Sequence, residues 1–160
     1  MRVPDPLLTS LVSATEEVFD TMLAIPLQSR PAVTGPLEVP ANVVATVAFA
    51  GHRKGLVVVY TSLSAARHIT STMLGIPLHE VNGEVPDAMG EIANMVAGQF
   101  RNRLAAIEPP SDISVPTVTI GTDFSTLYSS AVQRSRCPFD MQGEPISVEL
   151  ILTGEPATAR

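Results

Sequence analysis

Tryptophan is absent from this chain, tyrosine occurs twice, and aromatic residues make up only 4% of its 160 positions. So few rings leave little on which the bases of a single-stranded nucleic acid could stack. Lysine and arginine total 10 against 16 aspartates and glutamates, for a formal net charge of -6. A duplex-binding surface needs phosphate-neutralising cations in clusters, and this balance argues against one. A lone cysteine, Cys137, cannot form an internal disulfide, which fits a reducing compartment and makes the cytoplasm the expected location. Apolar runs are broken every few residues by Thr, Ser, Gly or a charge. None approaches the ~18–20 residues of a membrane-spanning helix. Asp5, Glu16, Glu17 and Asp20 punctuate the N-terminal stretch, which argues against a secretory signal or an Arg-rich transit peptide.

Several site types are missing as well. There is no Gly-rich phosphate loop, no Cys/His metal spacing and no Gly-x-Ser-x-Gly turn. His52 sits in a charged hairpin, His68 beside Arg67 on a helix and His79 in a polar loop. Without convergent ligands they read as surface histidines rather than a metal site. Cys137 has no neighbour that would lower its pKa and reads as an inert, partly buried strand residue.

What is present is enough apolar content, 45%, to fill one substantial core, so residues 1–160 are expected to form a single domain. Asp5-Pro6 and the apolar positions from Leu7 to Leu23 predict an amphipathic helix, with Asp5 as N-cap and an end near Ala24. Residues 26–41 carry Pro26, Pro31, Pro36 and Pro40 and predict a loop with at most a short edge strand. Asn42 to Ala50 and Leu56 to Thr61 predict a hairpin turning at Gly51-His52-Arg53-Lys54-Gly55. A Ser-capped helix follows from Ser62 to Leu74, with Gly75 beyond it. Another helix should run from Glu84–Asp87 to about Ile107, before Pro109-Pro110. Val115 to Gly121, Ser129 to Cys137 and Ile146 to Thr153 complete the set as strands. This order predicts an α/β protein of the α+β type, an antiparallel or mixed β-sheet packed against helices as a sandwich.

The long helix holds the most informative pattern. At ~100° per residue, Asp87, Glu91, Asn94, Gly98, Arg101 and Asn102 share one stripe, opposite Met89, Ile92, Val96, Phe100, Leu104 and Ile107. The polar stripe carries little of the Lys and Arg expected of an ordinary solvated face. Gly90 and Gly98 each cost about 1 kcal/mol of helix propensity relative to Ala. Either a partner must approach closely there, or the glycines let the helix pack tightly on its own sheet.

Asp87-x-x-x-Glu91-x-x-Asn94, with Pro116 following 22 residues after Asn94, resembles the signature of the CheC/CheX/FliY family, phosphatases of the phosphorylated chemotaxis regulator CheY. The closer likeness is to CheX. It extends through Gly90-Glu91-Ile92-Ala93-Asn94-Met95-Val96-Ala97-Gly98, Gly55-Leu56-Val57-Val58-Val59, Thr72-Met73-Leu74-Gly75 and Glu17-Val18-Phe19-Asp20-Thr21-Met22-Leu23, nearly the whole chain.

The resemblance implies hydrolysis of the aspartyl phosphate on a response-regulator receiver, with no covalent intermediate on this chain. Asn94 would orient the attacking water, and Glu91 would pair with the receiver's active-site lysine. Asp87 would cap or position the helix, and Gly90, Gly98 and Arg101 would contact the partner. No cofactor is expected on this chain; the Mg²⁺ would be the receiver's. Glu16 and Glu17 have no Asn three residues later, so one site per chain is expected. A homodimer is implied by the family alone. Two other readings stay open: a receiver-binding module without turnover, and a structural subunit whose polar helix is buried in its own dimer.

Overall fold

Val43, Ala45, Val47 and Phe49 occupy alternate positions, and in the computed structural model all four point from strand β2 (Val43–Ala50) into the main core. The structure describes residues 3–35, 41–122 and 132–153. Val57 and Val59 of β3 (Lys54–Thr61) and Ile146, Val148, Leu150 and Leu152 of β7 (Glu144–Thr153) keep the same two-residue period toward that core. The intervening residues Val44, Val58, Tyr60 and Ile151 form a smaller buried cluster on the opposite face. Glu149 is buried on that face, where it accepts a hydrogen bond from Tyr60 Oη at 2.7 Å and two from Arg134 at 2.8 and 3.0 Å. Its charge is thereby compensated.

The remaining strands are β1 (Gln28–Ser29), β4 (Asp112–Ile113), β5 (Thr117–Ile120) and β6 (Val132–Met141). Sheet order is β1-β6-β7-β3-β2-β4, with β5 also pairing β2, and every described pairing is antiparallel. Helices α1 (Asp5–Val18), α2 (Leu63–Leu74) and α3 (Val85–Leu104) contribute buried apolar residues to the main core. The expected α+β sandwich is the observed fold, with an antiparallel sheet.

Local chemistry explains most element ends. Ser62 caps α2 by accepting the Ala65 N–H at 3.0 Å, and Gly75 closes it in the left-handed conformation at φ 66°. Gln142 and Gly143 both take positive φ, as a two-residue turn between β6 and β7 requires.

Several expectations need correction. Pro4, not Asp5, is the N-cap of α1, and Asp5 lies in the first turn. The helix then widens into a π-turn over Phe19–Leu23 before stopping at Ala24, φ 51°. Gly55 is not part of the turn. It lies within β3, where a Cβ would come within 2.1 Å of the Ile151 carbonyl oxygen, so only glycine fits. The long helix ends at Leu104, and Ile107 lies beyond it, 66% exposed, instead of in the core. β4 was not foreseen, because Pro116 and the short pairing of Asp112–Ile113 with Ala50 and Phe49 leave no alternating run. β6 continues past the predicted end at Cys137, through Pro138, to Met141. Residues 129–131 of that predicted strand lie outside the described residues, as do residues 36–40 of the predicted loop.

Cys137 is 1% exposed, more deeply placed than expected, and burial pushes its thiol up to about 11. It should stay unmodified by a thiol reagent at pH 8 in the native protein and react stoichiometrically in denaturant. Phe100 is 2% exposed and meets Phe49 edge-on, ring centroids 6.1 Å apart. Phe100→Ala should cost about 3–5 kcal/mol, read from urea unfolding curves.

Candidate functional site

The site is carried by α3. Pro86 lies in its first turn, where a missing N–H leaves no helix bond unmade. Just ahead, the Glu84 carboxylate accepts the Asn82 N–H at 2.8 Å, which holds its pKa below the ordinary value. Met89, Ile92, Ala93 and Val96 have no exposed surface, and Phe100 and Leu104 extend that buried arc. Arg103 adds an ion pair to Glu17 of α1 at 2.7 Å. These contacts fix the rotation of the helix about its axis, and so fix what faces out.

Facing out are Asp87 and Glu91, both exposed, and Asn94, Gly98 and Arg101, half-buried. Three helical residues separate Glu91 from Asn94, a rise of about 4.5 Å and a turn of roughly 60°. The two side chains therefore project side by side. Among the described residues, neither makes a hydrogen bond or ion pair. Asp87 also has none, so its expected capping role is not realised. Its position in the first turn still places a carboxylate where the helix dipole favours one. Arg101 likewise has no hydrogen bond or ion pair, in contrast to Arg103 two residues on.

The two glycines prove different. Gly90 is buried, and a Cβ there would lie 3.3 Å from Pro116 Cγ and 3.5 Å from Val118 Cγ2. It lets the loop before β5 close on the helix, so the expected direct contact between Gly90 and a partner gives way to internal packing. A Cβ on Gly98 would meet nothing within 4 Å. Among the described residues, no packing accounts for that glycine.

Among the described residues, two hollows lie by the stripe. An open one of about 720 Å³ lies by the start of α3, between Arg67, His79, Asn82 and Pro86. A narrow apolar one lies under its far end, between Phe49, Phe100, Pro109 and Arg101. Neither is lined by Glu91 or Asn94. Among the described residues no group of three or more His, Cys, Asp or Glu could hold a metal ion, and no helix is long and apolar enough to cross a membrane.

Comparison with known proteins gives this helix its context. The family model described as chemotaxis phosphatase CheX matches residues 43–140, more than half of the chain, and contains the whole Asp87-to-Pro116 motif. The chain belongs to the CheX family. The CheY-P phosphatase CheX of Thermotoga maritima is 26% identical over 119 residues, 73% of this chain and 77% of that protein. The CheX fold recurs in the chemotaxis protein CheX from Desulfovibrio desulfuricans, with TM-score 0.82, 24% identity and coverage of 92% of this chain and 99% of that one. It recurs again in a CheX-CheY-BeF3-Mg²⁺ complex from Borrelia burgdorferi, with TM-score 0.79, 18% identity and coverage of 92% and 98%.

Sequence reasoning missed the exposed Val115, next to Pro116, and the distinction between the two glycines. The only sequence signal for the first was an apolar residue between Ser114 and Pro116 in a segment read as strand. The glycines should separate experimentally. Gly98→Ala should stabilise the protein by about 0.5–1 kcal/mol, whereas Gly90→Leu should cost about 1–3 kcal/mol by displacing Pro116, both measured by thermal unfolding.

Proposed function

We propose that this chain hydrolyses the aspartyl phosphate of a CheY-like response-regulator receiver by inserting Asn94 and Glu91 into the receiver's own active site. The carrying observation is that these two side chains project, without hydrogen-bond or ion-pair partners among the described residues, from the outward arc of a helix whose other arc is fixed in the core. A chain that enclosed its substrate would aim such groups into a hollow. Here they stand on a surface, suited to entering someone else's. Support comes from the name of the Thermotoga relative, a CheY-P phosphatase, and from the Borrelia structure of a CheX bound to CheY.

Phosphoryl transfer to water asks mainly for positioning and charge stabilisation. Asn94 offers an amide with both a donor and an acceptor, so it can hold a water in line with the phosphorus without acting as a base. The water oxygen bonds to phosphorus as the bond to the aspartyl oxygen breaks, giving phosphate and restoring the receiver's carboxylate. Glu91 pairs with the receiver's lysine, an interaction strengthened as water is excluded from the joint site. Asp87 and Arg101 set the register of docking at either end of the stripe, and Gly98 admits a close approach between them. The divalent ion, Mg²⁺, belongs to the receiver. On this reading the enzyme works in the cytoplasm, carries one site per chain and forms a homodimer.

The test is phosphate release from an acetyl-phosphate-charged, Mg²⁺-loaded CheY-type receiver with catalytic amounts of the chain. The native protein should accelerate it. Asn94→Ala should lower kcat roughly a hundredfold with binding retained. Glu91→Ala should act mainly on affinity, by about 2–5 kcal/mol, and Glu91→Lys more severely still. Binding without acceleration, unchanged in Asn94→Ala, would replace the enzyme with a non-catalytic receiver-binding module.

A further inference from the structure

Val115 is 85% exposed, the most exposed of the large apolar residues described. Its surroundings are firmly held. Ser114 donates its N–H to the Ala48 carbonyl at 2.8 Å, its Oγ accepts the Ala48 N–H at 2.9 Å, and the same Oγ donates to the Val115 carbonyl at 3.0 Å. On the other side Pro116 rests against Gly90 and begins the pairing of β5 with β2, Thr117 opposite Thr46. An apolar side chain is thus presented to solvent by a segment with little freedom to withdraw it.

Where it is presented gives it meaning. Gly90 and Asn94 are four residues apart on α3 and lie one above the other on the helix surface. The segment that closes on Gly90 therefore stands on the flank of the stripe next to Asn94. Any body that takes the Asn94 amide into a recess must come down over this segment too.

We propose that Val115 is an apolar anchor for the phosphorylated receiver, packing on it beside the Asn94 insertion. This rests on the function proposed above and adds a docking residue to it. A receiver surface is the occupant because Val115 adjoins Pro116, which packs on Gly90 one helical turn from Asn94, and because a segment already ordered loses little entropy on binding. An apolar contact made alike before and during the reaction contributes to binding, not to the chemical step. Val115 is a positioning residue.

The experiment compares the full-length native chain with Val115→Ser, Val115→Asp and Val115→Ile in steady-state dephosphorylation of the charged receiver. Thermal unfolding and sedimentation of each variant run alongside. We expect Val115→Ser to raise KM several-fold and Val115→Asp roughly tenfold or more, with kcat within about twofold of native, Val115→Ile near native, and unfolding unchanged. Asn94→Ala, which lowers kcat instead, is the contrast. Native kinetics in Val115→Asp would overturn the anchor while leaving the phosphatase reading intact. A change in sedimentation with KM unchanged would assign Val115 to contact with a second copy and also overturn it. If the native chain neither binds nor dephosphorylates receivers, both readings fall together.

Discussion

The burial of one arc of α3 constrains where every functional group can point. Met89, Ile92 and Val96 are wholly enclosed, and Phe100 interlocks with Phe49 of β2. Turning the helix by a single residue, about 100°, would carry these side chains toward water and bring charged neighbours inward. Burying an unpaired carboxylate such as that of Glu91 would cost several kcal/mol on top of the lost apolar burial. The core thus holds the polar stripe in register more firmly than contacts within the stripe could. Among the described residues, Asp87, Glu91, Asn94 and Arg101 can stand without partners because the core, not the stripe, holds the helix.

The treatment of charge elsewhere in the molecule sharpens the contrast. Glu149, buried behind the sheet, is matched by Arg134 and the Tyr60 hydroxyl, and Arg53 pairs with Glu108 at 2.9 Å between the β2–β3 turn and the segment after α3. Arg103 is engaged with Glu17, while Arg101 on the motif side has no such pair among the described residues. The glycines divide in the same way. Gly90 is occupied by Pro116, so the proline of the motif has a structural purpose, whereas Gly98 leaves a shallow place that none of the described residues fills.

Much of this was legible in the residues. The Val-rich and β-branched runs pointed to the β2–β3 hairpin, Ser62 and Gly75 marked the ends of α2, and the 3.6-residue period separated the two arcs of α3. Misreadings arose where long-range pairing overrode local signals. Gly55 resembles a turn residue, but its real constraint is the carbonyl of Ile151, 96 positions away in sequence and adjacent in the sheet. Pro138 resembles a strand breaker, yet β6 passes through it, with its carbonyl accepting the Arg30 N–H at 2.9 Å. β4 has two residues and no pattern of its own; it exists because β2 offers an edge. The roles of Gly90 and Gly98 could not be separated in sequence, since helical propensity charges both the same penalty and only packing tells which is compensated.

The placement of an acid and an amide on one stripe also carries a chemical logic. In the proposed mechanism the phosphoryl group is already negative and is surrounded by the receiver's carboxylates and Mg²⁺. A second carboxylate brought against it would be repelled in a site where low dielectric magnifies like-charge repulsion. A neutral amide can approach without that cost, which suits Asn94 to the position nearest the water. A carboxylate is useful only where the receiver offers a cation, and Glu91 reaches in one helical turn away. The spacing of three residues keeps the two groups close enough to enter one recess and far enough apart to meet partners of opposite electrostatic character. A helix, with its fixed rise and rotation, sets that separation without needing a pocket of its own, which is what the proposed mechanism asks of it.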